Sequence, residues 1–151
     1  MNIDYDNIKS ILNKNGFYFE KRYGQNFLTD EQLLNELVEK AGVTASDTVI
    51  EIGVGAGTLT AALAKKAKRV IGYEIDKKLQ PVLKETLADY KNAEIVFKDI
   101  MKEPMSEIES RAGGRFSVVA NLPYYITTPV LMRFIEESKA VDKIAVTVQE
   151  E

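Results

Sequence analysis

Apolar positions follow two rhythms along this chain. Ile8, Ile11 and Leu12 recur at helical spacing within residues 4–15, and Gly16 follows as a stop, which predicts a short first helix. Residues 17–28 are irregular and rich in aromatics, with Lys21, Arg22 and Gly24 among them. Asp30 is placed to cap a helix running to about Lys40, with Leu33, Leu34, Leu37 and Val38 facing inward and Gly42 ending it. From there short apolar runs alternate with helical stretches. Residues 48–52, 69–74, 94–98, 116–120 and 144–148 read as five strands. A glycine-rich turn at 53–57 leads into a helix through about Lys66. Asp76 caps a helix to about Tyr90, whose first turns Pro81 can bend. Pro104 to Gly114 reads as a loop with at most one helical turn. Thr127 or Thr128 then caps a helix that carries Pro129 in its first turn.

Near-continuous apolar strands separated by helices predict an α/β fold, with a parallel sheet covered on both faces. Right-handed crossovers make such a sheet doubly wound. Ligands then bind outside the carboxyl ends of the strands, so the chemistry should sit there.

Composition narrows what that chemistry can be. The 151 residues suffice for one domain with a real core. There is no His, Cys or Trp, which excludes disulfides, zinc fingers, thiolate nucleophiles and Ser-His-Asp arrangements. No metal is expected, and acid–base work falls to Asp, Glu, Lys, Tyr or the backbone. The net charge is −3, whereas a nucleic-acid binder usually carries a basic excess. Either nucleic acid is not the partner, or the basic surface is local or lies on another part of a larger protein. No apolar run approaches the ~20 residues of a membrane span, and the acidic N-terminus lacks a signal-peptide core. A cytoplasmic location is expected, with no membrane partner.

The first strand ends in Glu51-Ile52-Gly53-Val54-Gly55-Ala56-Gly57. Glycines let the backbone turn tightly and let a ligand approach main-chain N–H groups. A dinucleotide fingerprint requires Gly or Ala where this chain has Thr58, which argues against a nicotinamide site. The loop instead resembles the cofactor loop of class I S-adenosyl-L-methionine (SAM) methyltransferases, a Rossmann-like fold. The second strand ends in Glu74, followed by Ile75, and the third in Asp99, followed by Ile100. A carboxylate in the first place can accept from ribose hydroxyls, and one in the second from an adenine amino group, with Ile100 packing on the ring. Singly, such acids are more often caps or solvated charges; one at each successive strand end points to a ligand.

The fourth strand ends in Asn121-Leu122-Pro123-Tyr124, which resembles the Asn-x-Pro-aromatic motif of enzymes that methylate exocyclic amino nitrogens of bases. The amino lone pair of adenine is delocalised into the ring. Accepting both amino hydrogens, through the Asn121 oxygen and the Leu122 or Pro123 carbonyl, draws that nitrogen toward tetrahedral geometry. Pro123 stiffens the turn, and Tyr124 stacks on the extruded base.

Gly24-Gln25-Asn26-Phe27-Leu28, then Asp30, closely resembles the N-terminal motif of the ribosomal RNA adenine dimethyltransferases. Residues 48–60 and the run from Asn121 to Pro129 resemble the same family, and the latter looks most like its small-subunit branch. The resemblance spans most of the chain. It implies SAM as cofactor and adenine N6 of ribosomal RNA, in a small-subunit precursor, as target. It implies that Asn26 and Leu28 contact the methionine part of SAM, with Gln25 shaping that loop. Gly53 and Gly55 would meet the cofactor, Glu74 the ribose, and Asp99 the adenine, with Ile75 and Ile100 beside them. Asn121 would sit between cofactor and amine. Lys21 and Arg22 would lie near RNA phosphate or, equally, form a solvated pair. A different outcome is a non-catalytic relative that binds SAM and nucleic acid in ribosome assembly or transcription; intact Asn121, Pro123 and Tyr124 argue against it.

Two segments are expected: residues 1–29, a helix and an RNA- and SAM-contacting stretch, and residues 30–151, a SAM-binding domain truncated after its fifth strand. The family continues with two further strands and a small helical domain. The resemblance implies strand order 3-2-1-4-5, SAM binding with little methylation by this chain alone, and self-association through its fifth strand.

Overall fold

The computed structural model describes residues 5–17, 30–122 and 124–146. Five parallel strands form one sheet in the order β3-β2-β1-β4-β5, the order expected. The elements are α1 (Tyr5–Lys14), α2 (Glu31–Lys40), β1 (Thr48–Ile52), α3 (Thr58–Lys66), β2 (Arg69–Tyr73), a 3-10 turn at Lys77–Leu79, α4 (Gln80–Thr86), β3 (Ala93–Val96), α5 (Met105–Ala112), β4 (Phe116–Ala120), α6 (Tyr124–Glu137) and β5 (Val141–Val146).

Alternation along the central strands splits the core in two. Val49 and Val119 face one way, against Ile8 and Ile11 of α1, Leu34 and Val38 of α2, Leu59 and Leu63 of α3 and Val82 and Leu83 of α4. Ile50, Ile52, Val118 and Ala120 face the other, against Ile108 of α5 and Val130 and Phe134 of α6. Phe134 meets Phe116 edge-on, with ring centroids 5.9 Å apart. Both faces of the sheet are therefore covered, as right-handed winding requires.

Several expectations are corrected. On α2 only Leu34 and Val38 are buried; Leu33 is exposed and Leu37 half-buried, because the helix turns one narrow stripe to the sheet. Residues 104–114 are not a loop. Pro104, with φ −57°, starts α5, Gly113 at φ +74° stops it, and Met105, Ile108 and Ala112 form its buried stripe. Helix α6 begins at Tyr124, so Thr127 and Thr128 are not caps and Pro129 lies inside the helix. The Thr127 hydroxyl instead reaches back to the Leu122 carbonyl at 3.1 Å. Strand β5 starts at Val141, three residues early; Thr147 and Val148 lie outside the described residues. Its polar Asp142 and Lys143 fit because β5 borders the described sheet. Asp142 accepts from Arg115 at 2.8 Å, and Lys143 donates to the Gly42 carbonyl at 2.7 Å.

Candidate active site

At the carboxyl ends of the strands lies an open cavity of about 380 Å³. Gly53, Gly55, Glu74, Ile75, Asp99, Ile100, Asn121 and Leu122 all line it, so eight residues singled out in four separate stretches meet at one place. Pro123 lies outside the described residues, as do Gln25, Asn26 and Leu28, and Tyr124 enters only as the first residue of α6.

The turn after β1 explains how they meet. Gly53 has φ +79°, and a Cβ there would come within 2.4 Å of Leu122 Cδ2, so the glycine lets the β4 turn close over the β1 turn. Leu122 thus packs its side chain against the glycine turn, while its carbonyl accepts from Thr127. Gly55 is exposed at the rim, with no atom within 4 Å of where a Cβ would stand. Its N–H donates to Glu74 Oε1 at 2.9 Å. The Asp76 N–H donates to Glu74 Oε2 at 3.0 Å. Glu74 is 8% exposed. Two fixed backbone donors hold the carboxylate, which keeps further acceptor positions on both oxygens. Asp99 is half-buried, and its Oδ1 accepts the Met101 N–H at 2.9 Å. Asn121 is half-buried at the end of β4.

Sequence reasoning missed part of the lining: Ile52, Val54, Tyr73, Lys98, Met101 and Val130. Tyr73 and Lys98 directly precede Glu74 and Asp99, which was the available signal. Val130 carried none, because it reaches the cavity through the packing of α6. Gly72 was missed too; a Cβ on it would fall 2.5 Å from Val54 Cγ2, so it admits the glycine turn onto β2. Below the cavity Tyr73 donates to buried Glu103 at 2.9 Å, and Arg111 contacts both, at 3.2 Å and 3.1 Å. Burial, then the bond to Glu103, pushes the Tyr73 hydroxyl up to about 12, so it stays a donor.

Glu51, the first residue of the glycine motif, is elsewhere. It points under α3, 1% exposed, where the Thr60 hydroxyl donates to Oε1 while Oε2 has no hydrogen-bond partner among the described residues. Burial pushes its carboxyl up to about 8; the Thr60 bond opposes that shift and the nearby Glu74 charge adds to it.

The arrangement has the chemistry to hold SAM: Glu74 keeps acceptor positions for hydroxyls, Asp99 can accept from an amino group, and the walls are largely aliphatic. Among the described residues no cluster of His, Cys, Asp or Glu is placed to hold a metal. No helix there is long and apolar enough to cross a membrane.

The family model described as ribosomal RNA adenine dimethylase matches residues 16–151. The chain belongs to the ribosomal RNA adenine dimethylase family. It is 46% identical over 145 residues to ribosomal RNA small subunit methyltransferase A of Alkaliphilus metalliredigens, covering 95% of this chain and 50% of that protein. This dimethylase-family chain thus spans about half the length of the curated relatives it matches. Among solved structures it resembles the 23S rRNA methyltransferase ErmE, with a TM-score of 0.67 at 30% identity over 82% of this chain and 48% of that one. It also resembles a dimethyladenosine transferase from Plasmodium falciparum, with a TM-score of 0.64 at 29% identity over 80% of this chain and 42% of that one. The fold is that of the class I SAM methyltransferases, α/β and doubly wound.

Proposed function

We propose that the whole protein transfers methyl groups from SAM to the N6 of adenines in ribosomal RNA, two per adenine, and that the small-subunit precursor is its substrate. What carries the reading is the meeting of Glu74, Asp99 and Asn121 around one cavity at three strand ends. SAM supplies the methyl group, on a sulfonium that needs no further activation. Glu74 binds the ribose hydroxyls, and Asp99 accepts from the adenine amino group of the cofactor. Gln25, Asn26 and Leu28 are assigned to its methionine end on the sequence motif alone.

Asn121 holds the target amine by accepting one of its hydrogens. The Leu122 carbonyl spends one lone pair on Thr127 and keeps another for the second hydrogen, unless the Pro123 carbonyl takes it. Tyr124 stacks on the extruded base. The protein thus supplies orientation and placed acceptors, with no covalent nucleophile. In the N-terminal segment, residues 1–29, Lys21 and Arg22 are assigned to RNA phosphate. Residues 30–151 form the SAM-binding unit, and the site of action is the cytoplasm. Self-association through β5, a border of the described sheet, is part of the reading, and light scattering from a clean monomer at high concentration would refute it.

The test of the chemistry is Asn121→Ala in the full-length protein. Turnover on small-subunit ribosomal RNA should fall on the order of a hundredfold, with SAM affinity much less affected. Turnover within a few fold of the parent would remove Asn121 from the chemistry.

A further inference from the structure

The segment between β3 and α5 carries Asp99 and Ile100 to the cavity. Within the turn the bonds are local: Met101 N–H to Asp99 Oδ1 at 2.9 Å, and Lys102 N–H to the Asp99 carbonyl at 3.0 Å. The far end of the segment is anchored to β2 through the Glu103 side chain, which accepts from Tyr73. Arg133, in the third turn of α6, ties the backbone of the segment to that helix. Its guanidinium donates from Nη1 to the Ile100 carbonyl and from Nη2 to the Glu103 carbonyl. The Arg133 side chain is 12% exposed. Its third contact, Nε to Glu137 at 3.2 Å, ends on an exposed carboxylate and adds little. A planar fork spanning two carbonyls sets both the distance and the tilt of the segment between them, which a lysine could not do. Helix α6 starts beside the Asn121 turn and puts Val130 into the cavity wall. One side chain therefore joins the adenine end of the site to the helix that follows the amine-binding turn.

We infer that Arg133 is a positioning residue for the cofactor's adenine. It holds the Asp99–Ile100 turn against α6, so that the 6-amino group meets an acceptor already in place. This rests on the reading of the cavity as a SAM site. Arg133 does not line the cavity itself, so base selectivity is what separates positioning from mere support. A carboxylate at Asp99 accepts from a 6-amino group and repels a 6-oxo group. A turn that has shifted loses that discrimination.

Calorimetry with S-adenosyl-L-homocysteine and its inosine counterpart reads this directly, in this chain and in Arg133→Ala, with Glu137→Ala as control. The unaltered protein should prefer the adenine form by on the order of tenfold or more, the value of one charge-assisted hydrogen bond. Arg133→Ala should lower that ratio by roughly threefold or more, and Glu137→Ala should leave it unchanged. If Arg133→Ala fails to fold, Arg133→Lys carries the test with the same expectation, since it keeps the stem and charge but not the fork. An unchanged ratio in the folded variant overturns the inference, even if both affinities fall together. No binding of the adenine form to the unaltered protein would overturn the cofactor reading, and this inference with it.

Discussion

The carboxyl end of β2 and the interior of β1 each hold a buried carboxylate, and the two could hardly be treated more differently. Glu74 is met by two backbone N–H groups, at 2.9 Å and 3.0 Å, and lines the cavity. Among the described residues Glu51 has a single hydroxyl donor and no partner for Oε2, and it lies beneath α3 outside the cavity lining. Both acids flank the same glycine turn in space. The difference shows that a strand-end acid is presented to a cavity when the backbone beyond the strand solvates it and the cavity reaches it. An acid one turn deeper becomes a group whose charge the fold opposes.

The comparison breaks most readily through pH. The Glu51 carboxyl titrates near 8 in the folded protein, against an ordinary value of 4.5. Between those values the unfolded chain has lost a proton that the folded protein keeps. Stability from this group is therefore full at low pH, declines as pH rises above about 4.5 and levels off above about 8, with a slope of at most ~1.4 kcal/mol per pH unit. Glu51→Gln removes the slope, so in denaturant titrations the variant should gain on the parent steadily from pH 5 to pH 8. Equal differences at both pH values would mean that Glu51 is ionised in the fold. A smaller effect in the same titrations sharpens the point: Thr60→Val, which strips Oε1 of its donor, should cost about 1–3 kcal/mol.

Much of this was legible in the residues. The bounds of β1 and β4, and the end of α3, follow the sequence reading because buried apolar runs there are bracketed by turn residues. Glu74, Asp99 and Asn121 could be picked out because a doubly wound sheet sends its strand ends to one side. Helix α5 was obscured by Pro104 and Gly113-Gly114, which read as a loop although Met105, Ile108 and Ala112 carry the helical period. The burial of Glu51 was not legible, since only the packing of α3 over β1 decides it. Nothing in the sequence singles out Arg133. Its value comes from two carbonyls about thirty residues upstream that the fold brings to it.

The central claim is that Glu74, rather than its buried neighbour, is the carboxylate that grips the cofactor. Calorimetric titration of SAM into Glu74→Ala and Glu51→Gln, side by side with the parent, tests it. Glu74→Ala should lose about 1.5–3 kcal/mol of binding, on the order of ten- to a hundredfold in affinity, while Glu51→Gln stays within a few fold. Unchanged SAM affinity in a folded Glu74→Ala protein, or a larger loss in Glu51→Gln than in Glu74→Ala, would contradict the account.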